Sequence, residues 1–271
     1  MKALDFEYDG LFLSDFGFMI CSFGDKGLET ISNGSTISFN TEPMYDGRKK
    51  FLTNSSYEEC LGTTFSICKN PCKTVSGDVE PIAVEEESDI MCWLNRKIFH
   101  KFKIEQEGYE DLYFNGSFNI NRQMIDGELY GFELNFSSDA PFAYHEPITF
   151  EFSITEDNNT YLINDISDEI GFLYVDNMVI TCKNTEKKDL IIHNSIEDRT
   201  TEIKNCTNGE VITLTYPIIT TSLPLSRKIQ NDFNFNFVRI AREYNNIKNL
   251  LTFSIPCDVK LSYCPIKKVG V

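Results

Sequence analysis

The chain has 271 residues, and 41 acidic against 25 basic side chains give a formal net charge of -16. That balance excludes tight non-specific phosphate binding, which needs clustered Lys and Arg, and the length suits one large or two medium domains. No run reaches the ~20 apolar residues of a membrane span, and Met1-Lys2-Ala3-Leu4-Asp5-Phe6-Glu7 meets acids too early for a secretion signal. The nine cysteines are therefore expected as free, mostly buried thiols of a reducing compartment. The Asn-x-Ser/Thr triplets at Asn33, Asn54, Asn115, Asn135, Asn158 and Asn205 then read as by-products of composition. Phe, Thr and Ile dominate the apolar runs, which favours strands.

Near the N-terminus, Phe6-Glu7-Tyr8 and a turn at Asp9-Gly10 precede an alternating piece from Phe12 to Ser22. Gly24, Gly27 and Gly34 punctuate the next stretch. Thr36 to Phe39 is a predicted strand, Pro43 to Arg48 a loop, and Tyr57 to Lys69, which contains Thr63 to Ile67, alternates weakly. Asp15-Phe16-Gly17 spells a kinase metal-binding triplet but lacks the surrounding kinase loops. Cys68 and Cys72 have no histidine close in sequence to complete a zinc site.

The most legible stretch runs from Glu85 to Phe136. Ile90, Trp93, Leu94 and Ile98 recur at helical spacing. Ser88 or Asp89 is the expected cap, and the preceding acids suit the positive end of the helix dipole. Leu112, Phe114, Gly116, Phe118 and Ile120 then alternate, as do Tyr130, Phe132, Leu134 and Phe136. Asp126-Gly127 between them signals a tight hairpin turn. Leu112, Phe114, Phe132 and Phe136 are the candidate contacts to a neighbouring subunit. The alternative places both strands inside one sandwich.

Ser137 to Pro141 and Glu146-Pro147 interrupt the pattern, which sets an expected boundary between domains 1–138 and 139–271. Ile148, Phe150, Phe152 and Ile154 alternate with polar residues as a half-buried strand. Further strands are predicted at 171–175, 178–182, 190–193, 201–203 and 211–216, a spacing typical of a sandwich or jelly roll. Phe233, Phe235 and Phe237 alternate with Asn and are expected on one face. Asn249 to Ile255 is read as the partner of that segment, after a turn at Glu243 to Asn246. Asp258 to Tyr263 is the last predicted strand.

Phosphate-cradling, dinucleotide, serine-nucleophile and zinc-protease motifs are absent. His100, His145 and His193 lie far apart. The acidic loop at Glu156 to Asn159 lacks calcium-loop spacing. The expectation is a protein without catalytic residues, metals or cofactors.

Three stretches carry a family resemblance: Phe6 through Phe18, Cys92 through Phe136, and Asp232 to Ile255 with Tyr263 to Val271. They resemble the distal tail proteins of long, non-contractile-tailed bacteriophages and prophages of Gram-positive bacteria. The resemblance implies a mainly β chain of two β-sandwich-type domains. The N-terminal one, the ring-forming belt, has a single helix and a β-hairpin; the C-terminal one is jelly-roll or galectin-like. It implies a homohexameric ring at the virion tail tip, made in the bacterial host cytoplasm, with a central channel for DNA. Implied partners are the tail tube protein, the tape-measure protein, the tail-associated tip protein and receptor-binding proteins. No sequence-specific nucleic acid and no membrane insertion are expected. A carbohydrate-binding module acting in host-surface adsorption is the alternative.

Overall fold

The computed structural model describes residues 3, 5–21, 35–44, 49–74, 77 and 80–269. The expected glycine punctuation at Gly24, Gly27 and Gly34, and most of the Pro43 to Arg48 loop, lie outside the described residues. The chain is mainly β with a single α-helix among the described residues. It divides into two compact units. The first runs from the N-terminus to Tyr144 and takes back the C-terminal residues from Lys268; the second is His145–Lys267.

The first unit contains β1 (Phe6–Tyr8), β2 (Leu11–Phe12), β3 (Phe18–Cys21), β4 (Ile37–Pro43), β5 (Lys50–Tyr57) and β6 (Gly62–Lys69). After these come α1 (Val84–Leu94), β7 (His100–Ile104), β8 (Leu112–Ile125), β9 (Glu128–Ser138) and β10 (Ala143–His145). One sheet runs in the order β2-β1-β7-β8-β9-β6-β3, with β10 joining β8. The alternation along β8 gives it two faces: Leu112, Phe114, Gly116 and Phe118 turn inward while the residues between them are more open. Asp126 and Gly127 both take positive φ, 51° and 89°. That is the backbone demanded by a two-residue hairpin turn whose twist matches the strands.

Trp93 links α1 to this sheet. Its indole lies parallel to Phe16 at 4.5 Å and to Phe6 at 5.6 Å. Its Nε1–H donates to the Tyr8 carbonyl at 2.9 Å, so the one polar atom of a buried ring is satisfied. The helix begins earlier than the sequence suggests. Ser88 and Asp89 lie inside it, and the Glu86 carboxylate instead accepts from the Ala83 N–H at 2.7 Å. Three consecutive glutamates supported an early start, because acids suit a helix N-terminus. The helix stops at Leu94, so Ile98 falls outside its apolar stripe and is exposed.

The second unit contains β11 (Ile148–Ile154), β12 (Thr160–Asn164), β13 (Gly171–Tyr174), β14 (Asn177–Cys182), β15 (Lys188–Asn194) and β16 (Thr200–Cys206). It continues with β17 (Val211–Thr215), β18 (Ile218–Thr221), β19 (Arg239–Arg242), β20 (Lys248–Phe253), β21 (Cys257–Tyr263) and β22 (Ile266–Lys267). A five-stranded sheet in the order β11-β21-β14-β17-β18 accompanies a four-stranded sheet β12-β20-β15-β16. Alternate residues of both sheets, including Met178, Ile180, Leu214 and Leu261 on one and Ile163, Leu190, Ile192 and Leu251 on the other, form one buried core. This is sandwich packing, with inward apolar and outward polar positions alternating along each strand.

Two expectations fail in this unit. Phe233 and Phe237 are buried, but Phe235 takes φ 59° and is exposed. A left-handed residue breaks the period of two, so the three rings do not share a face. Strand β20 pairs with β12 and β15, whereas β19 pairs with β13. Sequence proximity suggested a hairpin, but the tight turn at Glu243 to Asn246 only redirects the chain.

Candidate assembly surface

The residues expected at a subunit contact are interior. Leu112, Phe114, Phe132 and Phe136 are each at most 9% exposed. Phe114, Phe132 and Phe136 belong to the aromatic core, where Phe136 lies 4.6 Å from Phe102 between ring centroids. Strand β8 has β7 on one side and β9 on the other, and β9 lies between β8 and β6. The alternative reading of the hairpin, strands internal to the unit, is the geometry observed. The inward face of an aromatic strand and the face offered to a partner give the same alternation, which is why the pattern misled.

One group of exposed apolar side chains in this unit lies on β4 and β5, a separate two-stranded antiparallel ribbon. Nearly every residue of the ribbon is exposed, including Phe39 and Phe51 at 63% each. Directly opposed residues share a face: Ile37 with Tyr57, Phe39 with Ser55, Thr41 with Leu52 and Pro43 with Lys50. The other face carries Ser38 with Ser56, Asn40 with Asn54, and Glu42 with Phe51. A register shift between Asn40 and Thr41 separates the two halves, and Thr53 Oγ1 there donates to the Asn40 carbonyl at 2.9 Å. The first face is the more apolar of the two and open to solvent, and the second is mainly polar apart from Phe51. An isolated two-stranded ribbon is marginally stable in water, so an open apolar face on one is a surface built to be covered. Sequence reading found β4 but missed β5. The signal was present: β-prone Phe51-Leu52-Thr53 stands just beyond a Pro- and Gly-containing loop after Phe39.

The remaining chemistry-bearing residues are structural. His100 Nδ1 lies 3.1 Å from Asp9 Oδ1, and the ring meets the edge of Tyr8. Burial raises the Tyr8 phenol to about 12, with Arg96 opposing and Asp9 reinforcing the shift. Cys68 is buried and Cys72 exposed, and no group of His, Cys, Asp and Glu among the described residues could hold a metal ion. In the second unit the buried Glu210 carboxylate accepts two hydrogen bonds from Arg227 Nη1, at 2.7 and 2.6 Å, and one from Thr221 Oγ1. Arg227 Nε also meets Asp232 at 3.0 Å. No helix among the described residues is long and apolar enough to cross a membrane.

Both units match families of known proteins. Residues 1–140 match the family described as phage tail protein N-terminal domain, and residues 142–263 match the phage tail C-terminal domain. The chain belongs to this phage tail protein family. The tail protein is also similar to the solved crystal structure of the SPP1 Dit (gp 19.1) protein, described as a paradigm of the hub adsorption apparatus in Gram-positive-infecting phages. That similarity has a TM-score of 0.66 at 12% identity and covers 97% of this chain and 99% of the other. At such identity it shows a shared fold, extending over both units. No curated protein matches the tail protein.

Proposed function

We propose that this phage tail protein is a structural hub of the tail tip. Six copies close into a ring that joins the tail tube to the tip or baseplate proteins and leaves a central channel for DNA. The observation that carries the reading is the end-to-end fold similarity to a protein described as a hub of the adsorption apparatus. In this reading the N-terminal domain, residues 1–138, forms the ring and residues 139–271 form the second, sandwich domain. Its neighbours are the tail tube, tape-measure, tail-associated tip and receptor-binding proteins, assembled with it in the bacterial host cytoplasm. The role is mechanical, and the chain acts without catalysis or cofactor.

The contact that closes such a ring is head-to-tail, since a repeated heterologous interface closes after a fixed rotation. The ribbon of β4 and β5 supplies one half of it. The Ile37, Phe39 and Leu52 face covers an adjoining subunit, and among the described residues neither outer edge of the ribbon has a strand partner, so each can take a neighbour's strand. The net charge of -16 suits a channel wall from which DNA is repelled.

Negative-stain imaging and light scattering of the purified full chain across a concentration series test the reading. Six-fold rings are expected, with a folded monomer left when Phe39→Ser and Leu52→Ser are combined. Rings that persist in that variant remove the ribbon from the contact. An absence of rings both in solution and in disassembled tail tips removes the hub itself.

A further inference from the structure

The strand registers of the first unit put two exposed apolar surfaces at opposite ends of its main sheet. Strand β6 begins at Gly62 beside Ser137 and runs to Cys68 beside Gly131. The ribbon of β4 and β5 springs from the Ser137 end, because its Tyr57 leads through a short connection into Gly62. Exposed Ile98 and Phe99 lie at that end too, since His100 pairs with Gly116 and Gly116 with Ser138. The opposite end is the Asp126-Gly127 turn of the β8–β9 hairpin.

The turn end carries an apolar patch of its own. Met124 opposes Leu129 across the hairpin, so the two share a face. Leu129 is buried, and its carbonyl accepts from the Ile82 N–H at 2.7 Å, just before α1 begins. Further along, Arg122 Nη2 lies 2.5 Å from the Glu87 carboxylate. Val84 precedes Glu87 by one helical turn, and Met124 follows Arg122 by two residues of strand. Both steps stay on one face and both lead towards the turn. Val84 therefore stands beside Met124, over a floor of Ile82 and Leu129. Val84 is 77% exposed and Met124 52%. Glu85, Asp126 and Glu128, all exposed, form an acidic rim. The strand from Leu129 to Ser137 spans about 25 Å, so this patch and the base of the ribbon are separate surfaces.

On the reading that copies close into a ring, we propose that this patch is the socket for the ribbon of the next copy, the second half of the head-to-tail contact. The ribbon face of Ile37, Phe39 and Leu52 covers Val84 and Met124. Lys50 lies on that same face, opposite Pro43, and it and Lys49 are exposed at the far end of the ribbon, where they suit the acidic rim. Apolar burial supplies the strength of the contact, and the rim charges fix its orientation. Two unlike surfaces at opposite ends of one sheet are what a repeating head-to-tail contact requires.

Sedimentation velocity of the full chain and two double variants tests the socket. Val84→Asp with Met124→Asp is expected to raise the concentration needed for ring closure by about tenfold or more, as Phe39→Ser with Leu52→Ser is expected to do from the ribbon side. Mixed in equal amounts, the two variants are expected to form dimers and no rings, since each keeps one half of the contact. Circular dichroism melting reports that both fold. A photoreactive benzoylphenylalanine in place of Phe39, in the otherwise unchanged chain, gives a second measurement in rings or in assembled tail tips. Its cross-links are expected to fall in residues 82–87 or 124–129 of the neighbouring copy. The socket alone is overturned if the folded Val84→Asp, Met124→Asp variant closes rings at an unchanged concentration, or if cross-links between copies fall only elsewhere. A full chain that forms no rings in solution or in disassembled tail tips overturns the ring and the socket together.

Discussion

At the scale of single residues, the buried groups with one irreplaceable partner set the sharpest expectations. Arg227 neutralises Glu210, whose side chain has no exposure at all. Arg227→Ala leaves a buried carboxylate with neutral donors alone, the Thr221 hydroxyl and the backbone N–H and hydroxyl of Thr207. Removing one partner of a buried ion pair costs about 3–5 kcal/mol, and urea unfolding followed by circular dichroism measures the loss. The double change Arg227→Met with Glu210→Leu removes both charges and is expected to recover much of it. Tyr8 gives a pH dependence. Its phenol is raised from 10.0 to about 12 by burial, and its hydroxyl donates to the Gly116 carbonyl at 3.2 Å. A raised pKa means that the folded state holds the proton more tightly. The contribution of Tyr8 to stability is therefore complete below pH 10 and declines as pH rises towards 12. Ultraviolet titration of the phenolates is expected to show Tyr8 ionising well after the exposed tyrosines, with only Tyr263, which burial and Asp165 raise further, ionising later. In Tyr8→Phe, the alkaline loss of stability becomes shallower.

At the scale of elements, the β8–β9 hairpin shows what two glycines do. Gly127 has φ 89°, and Gly116 has no room for a side chain: a Cβ there would meet the Ser137 carbonyl at 2.3 Å and the Phe136 ring at 2.5 Å. Gly116→Ala forces the Phe136 ring out of its contacts with Phe102 and Phe118. Overpacking of this kind costs about 1–3 kcal/mol, measurable as a lowered denaturation midpoint at unchanged slope. The Asp126-Gly127 pair, by contrast, was legible at once, because few sequences fit a two-residue turn of positive φ. Helix α1 was legible in its face but not in its start. Its cap is made by Glu86 reaching back to Ala83, a geometry that a search for Ser or Asp at the cap overlooks. Strand β11 was read with the bounds observed, because half-burial leaves alternation intact. Strand β12 and the pairing of β19 with β13 were not legible, since these short strands take their partners from across the unit, and β18 was missed although it forms a hairpin with β17. The four residues chosen as contacts lie on the buried face of two paired strands, β8 and β9, a face whose alternation in sequence looks the same as that of one offered to a partner.

At the scale of the whole molecule, charge and apolar surface oppose each other. Each copy carries a net charge of -16, so six copies brought into a ring repel one another over a distance set by the ionic strength. The ribbon face with Phe39, Ile37 and Leu52 supplies short-range attraction that salt does not screen. The proposed ring therefore has a definite salt response: closure is favoured as ionic strength rises from about 10 mM, where the Debye length is ~30 Å, to 150 mM, where it is ~8 Å. Sedimentation velocity at fixed protein concentration measures this as a shift from monomer to ring. A contact dominated by ion pairs has the opposite sign, since screening weakens it. Rings that dissolve on adding salt would assign closure to charge pairing and remove the apolar ribbon from its role. The same repulsion predicts how the proposed channel treats DNA. Gel retardation of duplex DNA by assembled rings is expected to be absent at 150 mM salt and to remain absent at 20 mM, because lowering the salt strengthens repulsion between like charges as much as attraction between unlike ones. Retardation that emerges only at the lower salt would mean that the Lys and Arg side chains gather on the channel wall, leaving the acidic excess on the outer surface.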